Sequence, residues 1–442
     1  MHYDFVKYLM PLISRFLYDT HGASAILVAV IFPALVGFAA LGVETGMWYT
    51  IKVKNQSAAD AGAISAVYQI IAGKTDVIGD LIPAASEAAA QNGYNGTIPA
   101  IVYPYADDIV SNGVAVTLHQ TQRALLSALF LSDITITSKA VGTIKPADNP
   151  CILALGTTST NVEISAATRI VMSNCAIAAN SISRNSVALN STTSSLAAST
   201  IVTAGELTLA GTPVNPAALP DQFSLVSPPR IGAPIVADPY ANTLTHAFLT
   251  TNMTTANNCT PTINGTSTTY PMGNCIIPSP GLQIPADQTQ TIDLAPGTYW
   301  VNGDLTIPPT GTLRCSTCDN VKGTGVTIIL AGRASISGAP FTLNAPSSGP
   351  FAGLVIVQDV GDMPPSQSSQ ISGAPGATVN GLIYFPKSSM TFHGNPGATG
   401  PKCLILVINW LSVDADSILD SSGCANIGLT NLPTLHHPTL AE

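Results

Sequence analysis

The chain has 442 residues, of which 9 % are charged and 46 % apolar, and a formal net charge of −9. Ordinary soluble proteins carry about 25 % charged residues, so a charge-poor surface rich in Ser, Thr, Asn and Gly is expected, as in secreted β-structures. The chain has no basic stripe, which argues against nucleic-acid binding, since that depends on phosphate neutralisation.

Residues 1–21 precede GASAILVAVIFPALVGFAALGV, the run from Gly22 to Val43, which contains no Asp, Glu, Lys or Arg. A helix needs roughly 20 apolar residues to cross the hydrocarbon core. The spacing therefore predicts a transmembrane helix over 22–43 and a short cytoplasmic head over 1–21. A cleaved signal peptide is the competing reading. The run is longer than the usual apolar core of about 7–15 residues and passes into continued helix instead of a cleavage site. Flanking charge does not orient it: Lys7 and Arg15 precede the run, Lys52 and Lys54 follow, a tie under the positive-inside rule.

From Glu44 to Ala72 the helical spacing continues without proline. Trp48 and Tyr49 stand where interfacial aromatic anchors are expected. Glu44, at the end of the apolar run, reads either as a solvated carboxylate or as a partner for a neighbouring subunit's cation. Gly42-x-x-x-Gly46 has the small-residue spacing that lets two helices approach, and Pro33 is expected to bend the span. A second helix is expected from Asp76 to Gln91, kinked or split at Pro83. The strand-like VAVTLH (114–119), the helix-like TQRALLSALFL (121–131) and the strand-like ITITSKAVGTI (134–144) complete a small α+β head over 44–147.

From Cys151 the texture changes to short aliphatic runs separated by Ser, Thr, Asn and Gly turns. That texture predicts a parallel β-helix over 148–442, with a β-sandwich as the competing fold. No fixed repeat length aligns. Residues 211–290, rich in Pro, Asn and Thr, read as an irregular insertion with one short helix from Tyr240 to Leu249. His436 and His437 fall in a tail expected to be disordered rather than liganded.

All eight cysteines, at 151, 175, 259, 275, 315, 318, 403 and 424, follow the apolar run. An even count downstream of a membrane helix fits disulfides in an oxidising space, and this places the N-terminus inside. Short loop closure favours pairing sequential neighbours, though many connectivities are open. Cys315-Ser-Thr-Cys318 is also a redox or zinc half-motif by spacing. It lies between strand-like segments with no second ligand pair nearby in sequence, so a structural disulfide is the expectation.

Asp359, Asp362, Asp414, Asp416 and Asp420, with Lys387, Lys402 and His393, admit a polysaccharide-lyase or glycosidase reading, since β-helix enzymes use carboxylates. Turn-capping is the expected role of these acids. No Gly-x-Ser-x-Gly elbow, His-Glu-x-x-His helix or phosphate-cradling loop is present in the sequence. Neither a catalytic residue, a cofactor nor a metal is predicted.

The stretch from Gly22 to about Ala66 resembles the N-terminal region of TadG-like proteins of the Flp (tight adherence) pilus assembly system. The likeness rests on AVIFPALVGFAALGV, Glu44-Thr45-Gly46, the pair Trp48-Tyr49, Gln56 through Asp60, and AGAISA. The segment VAVTLHQTQRALLSALFLSDITITSKAV also looks like the family's periplasmic head, and LAPGTYWVNGDLTI with GLIYFP like the β-rich tail of some relatives. Many relatives carry a von Willebrand A-type domain with an Asp-x-Ser-x-Ser metal motif, which this sequence lacks. The resemblance implies a membrane-anchored assembly component supporting adhesion. It implies pilus-assembly proteins or pseudopilins as partners, with self-association through the helix as a further option. Glu44, Trp48, Tyr49, Gln56 and Asp60 are its expected packing residues. The alternatives are a membrane-tethered carbohydrate-binding or carbohydrate-active β-helix and a pilus-independent adhesin.

Overall fold

The computed structural model describes residues 20–441, with breaks at 109, 111, 125–126, 130–131, 147–148, 166, 174, 320–321, 362–367, 374–377, 394–402, 421–422 and 430–433. All but Thr20 and His21 of the expected cytoplasmic head lie outside the described residues. The chain divides into two units, Met1–Lys145 with His437–Glu442, and Pro146–His436.

The first unit is built on α1, Thr20–Ile71, a helix of 52 residues that contains Pro33 without being ended by it. Beyond the apolar run, α1 carries Ala58, Ala59, Ala63 and Ala66, all fully buried. These small residues let α2 (Ile82–Gln91) pack closely through Ala85 and Ala89. A Cβ on Gly62 would stand 3.2 Å from the Ala85 carbonyl oxygen. The segment expected as one helix from Asp76 does split. A π-helical turn, Val77–Leu81, capped by the Asp76 side chain, comes first, and Pro83 lies in the first turn of α2, where its missing N–H costs nothing.

Opposite the helices lies an antiparallel sheet of β1 (Ala100–Tyr105), β2 (Gly113–Gln122) and β3 (Ile134–Pro146). Among the described residues of 121–131, the expected helix does not form. β2 and β3 stay paired from Val114↔Gly142 to Gln122↔Ile134, and the described part of the connection holds a single 3₁₀ turn, Ser127–Leu129. Cross-strand pairing outcompetes a helix too short to be stable alone. The sheet's far edge is a second correction. His436–Leu440, expected as a disordered tail, is a strand lying next to β3. Ala441 N donates to Val141 O, and Leu440 packs on the alanine-rich core. The head thus takes its fourth strand from the C-terminus.

The second unit is a three-sided parallel β-helix. One interior ladder runs Cys275, Tyr299, Ile328, Ile356, Ile383, Leu406, Ile152, Ile177, Ile201, each directly paired with the next. Every member is buried. The ladder passes from Leu406 to Ile152, so the order of coils in space is not their order in sequence. The chain enters at the middle, winds outward to Arg230, and resumes at the opposite end near Asn257. It then winds back until 404–420 stacks on 150–173. Successive partners lie 21 residues apart at Thr291↔Thr312 but 36 apart at Thr342↔Thr378. Corner loops of such unequal length explain why no repeat is visible in the sequence.

The irregular insertion is narrower than 211–290. Strands from Asn257 onward already belong to the ladders, and the helix, α3, is His246–Met253, capped by Thr245. What remains is a strap along the outside of one face. Val236 exchanges two hydrogen bonds of 2.8 Å with the Asn180 side chain. Asp238 accepts from the Tyr384 hydroxyl at 2.7 Å. His246 reaches Asp359 and stacks edge-on against Trp300, and Phe248 meets Phe351. Strands under the strap, such as Val326–Leu330 and Leu354–Gln358, are buried at every position. Ala334–Ala339, on a neighbouring face, largely alternates, as expected where one side meets solvent.

Candidate assembly face of the membrane-proximal helix

α1 and the β2–β3 hairpin lie side by side, and the polar residues of α1 fix their register. Glu44 is 2 % exposed, and its Oε2 accepts from Ser127 N at 2.8 Å. Lys52 Nζ donates to Thr137 O, and the Ser138 hydroxyl to Lys52 O. Gln56 Nε2 bonds both Asp60 Oδ1 at 2.9 Å and Lys139 O at 3.0 Å. Further along, a Cβ on Gly142 would fall 2.6 Å from Val67 Cγ2 and 2.9 Å from Ala63 O. Only glycine lets β3 approach the helix that closely.

The Gln-x-x-x-Asp stretch thereby works within the chain. Asp60 orients the Gln56 amide, which ties the helix to the β3 backbone. Glu44 is not the solvated carboxylate the sequence allows. The hairpin connection covers it, a placement that no local pattern around residue 44 encodes. Trp48 is half-buried on the same side.

The opposite side of α1 is open. Leu35, Phe38, Tyr49 and Val53 are 60, 74, 71 and 51 % exposed. With Gly42 and Gly46, where an added Cβ would meet nothing within 4 Å, they recur at three- and four-residue intervals and share one helix face. Inside the apolar run α1 is exposed on nearly every side, and past it the stripe continues through Gly46, Tyr49 and Val53. Among the described residues, α1 is the one helix long and apolar enough to cross a membrane. Its first 22 apolar residues from Gly22 would span roughly 33 Å, matching a hydrocarbon core of about 30 Å.

The other candidate residues are placed in the β-helix. The four sequential cysteine pairs are disulfides: Cys151–Cys175, Cys259–Cys275, Cys315–Cys318 and Cys403–Cys424. Cys315-Ser-Thr-Cys318 is a closed local loop. Asp359, fully buried, accepts from His246 Nδ1 at 2.9 Å and from Gly361 N at 3.1 Å. Asp416 Oδ1 accepts from Arg169 N at 2.7 Å, and Lys387 Nζ donates to Val360 O. Asp362 and Lys402, and the side chains of His393 and Asp420, lie outside the described residues. Burial raises the phenol pKa of Tyr384 and of Tyr240, with the nearby Asp238 charge adding to both. These are properties of a packed strap.

No curated protein and no solved structure matches the chain. A family model does match residues 22–72, that of Tad, Flp pilus-assembly TadE/G-like. Residues 22–72, which carry the buried Glu44 and the Gln56–Asp60 pair, are a TadE/G-like segment.

Proposed function

We propose that this protein is a non-enzymatic structural component of Flp pilus assembly, held by α1 in the inner membrane with its disulfide-bearing bulk on the periplasmic side, and supporting adhesion. The observation that carries the reading is the TadE/G-like match, which coincides with α1. Its mechanism is lateral packing of the stripe Leu35, Phe38, Gly42, Gly46, Tyr49 and Val53 against the apolar helices of pilus-assembly proteins or pseudopilins. Small residues at positions 42 and 46 permit close backbone approach, which drives helix association in lipid, where hydrophobicity alone does not. The β-helix acts as a rigid spacer. Its carboxylates Asp359 and Asp416 hold the strap and a strand end, which supports a structural role.

The test is genetic and biochemical. Removing the protein from its host should abolish or strongly reduce Flp pili and surface attachment. Replacing residues 22–43 with an unrelated apolar span should keep the protein in the membrane but lose co-purification with the assembly machinery. Normal piliation after deletion would refute the proposal.

A further inference from the structure

The sides of the β-helix differ in what lies outside them. One is covered by the strap. Another runs unbroken over successive coils, through Gly281–Gln283, Asp304–Ile307, Ala334–Ala339 and Ser368–Gly373, then into Thr378–His393 and Leu404–Ala415. Its middle row is Gln283, Thr306, Ser335, Gln370, Thr391 and Ser412, each directly paired with the next. Residues beside them in the strands, such as Leu305, Ile336, Ile371 and Leu411, are buried, so strand alternation turns the row outward. The row carries no charge and presents one hydroxyl or amide about every 4.8 Å. The hydroxyls of Thr306, Ser335, Thr391 and Ser412 hold no partner among the described residues. The row ends at Glu163, next to Ser412, whose Oε1 accepts from the Asn190 amide at 2.5 Å. Asp304 and Arg333, in the flanking row, neutralise each other at 3.1 Å. Trp410, half-buried, stands two residues before Ser412 and shares its side of the sheet.

We propose that this side binds an uncharged, extended, β-linked polysaccharide laid along the stack of coils. Hydroxyls and primary amides both donate and accept hydrogen bonds, as sugar hydroxyls do, so each meets the other in either role. A row without charge complements a ligand without charge, and a polyanion would find no cation within it. A β-linked chain advances by nearly one strand spacing per sugar, which brings about one sugar over each coil. Trp410 offers an indole against which the C–H side of a pyranose ring packs. The proposal goes beyond pilus assembly and rests on the β-helix alone.

The full chain, held in a zwitterionic detergent without a sugar headgroup, is sedimented with insoluble cellulose or chitin. Retention on at least one of them is expected, undiminished in concentrated salt, which screens charge. Trp410→Ala and Thr306→Arg should each weaken retention by about tenfold or more. Ser224→Arg, exposed on another side of the β-helix, should leave it unchanged. A denaturation midpoint equal to the parent's shows that Thr306→Arg is folded, and this variant decides the matter should Trp410→Ala not fold. Failure to sediment with either polysaccharide, loss of retention in salt, or the same retention for Thr306→Arg as for Ser224→Arg overturns the proposal. None of these results touches the role in pilus assembly, which the deletion phenotype reads.

Discussion

At Glu44 one carboxylate decides how the helix and the hairpin are aligned. It takes a backbone N–H that would otherwise be buried without an acceptor, and leaving such a donor unsatisfied costs about 1–3 kcal/mol. Glu44→Ala is expected to lower the stability of the full chain by that amount in denaturant titration, while Glu44→Gln, which keeps an acceptor oxygen, loses less. Equal stability of all three proteins would show that the Ser127 bond carries no weight. The sequence announces an acid at the end of the apolar run but not its cover, because the covering turn is 83 residues away. Gln56 and Asp60 are legible as a motif, and their intramolecular role is not. Trp48 and Tyr49 stand as an adjacent pair in sequence, yet they are divided between a packed and an open side of the helix.

Among the elements, the β-helix strands are legible as short aliphatic runs. Even the covered face leaves a signal, since VTIIL and LVIVQ are nearly continuous in apolar character while ASISGA alternates. The strap that causes this is not legible, because its contacts are single side chains scattered over Pro- and Thr-rich chain. The helix-like spacing of 121–131 misleads for a physical reason: its first residues, Thr121 and Gln122, are held at the end of a long paired strand, a long-range pairing that local spacing does not encode. The strap has a pH signature. Burial raises the phenol pKa of Tyr240 and Tyr384 at the strap, and of Tyr299 and Tyr270 in the coils. Above the ordinary tyrosine value of about 10, the unfolded chain releases protons that the folded one retains, so this stability is complete below that pH and declines above it. The denaturation midpoint should therefore fall with rising alkalinity, and these four tyrosines should ionise late in ultraviolet titration. Ionisation of every tyrosine at the ordinary value would contradict the packing of the strap.

For the molecule as a whole, the order of coils explains the connectivity. A β-helix entered and left at its middle brings residues 150 and 404–420 onto adjacent coils, which allows the chain to return and supply the head's last strand. None of this is visible in the sequence, since coils of 18 to 36 residues hide the repeat and with it the permuted order. The disulfides staple this arrangement: Cys151–Cys175 and Cys403–Cys424 each close one coil, on either side of the seam where 404–413 meets 150–164. Replacing Cys151 and Cys175 together with serine should cost about 3 kcal/mol by loop-closure entropy, read as a lowered midpoint in denaturant. An unchanged midpoint would mean that the coil needs no staple.

The proposed role in pilus assembly requires α1 to cross a bilayer with everything beyond Val43 on the oxidising side. The most direct measurement is a pair of reporters fused after Glu442 in growing cells, one a phosphatase active only outside the cytoplasm, the other a fluorescent protein that matures only within it. An active phosphatase with a dark fluorescent fusion, both remaining with the membranes, is the result predicted here. A bright fluorescent fusion with an inactive phosphatase would contradict it.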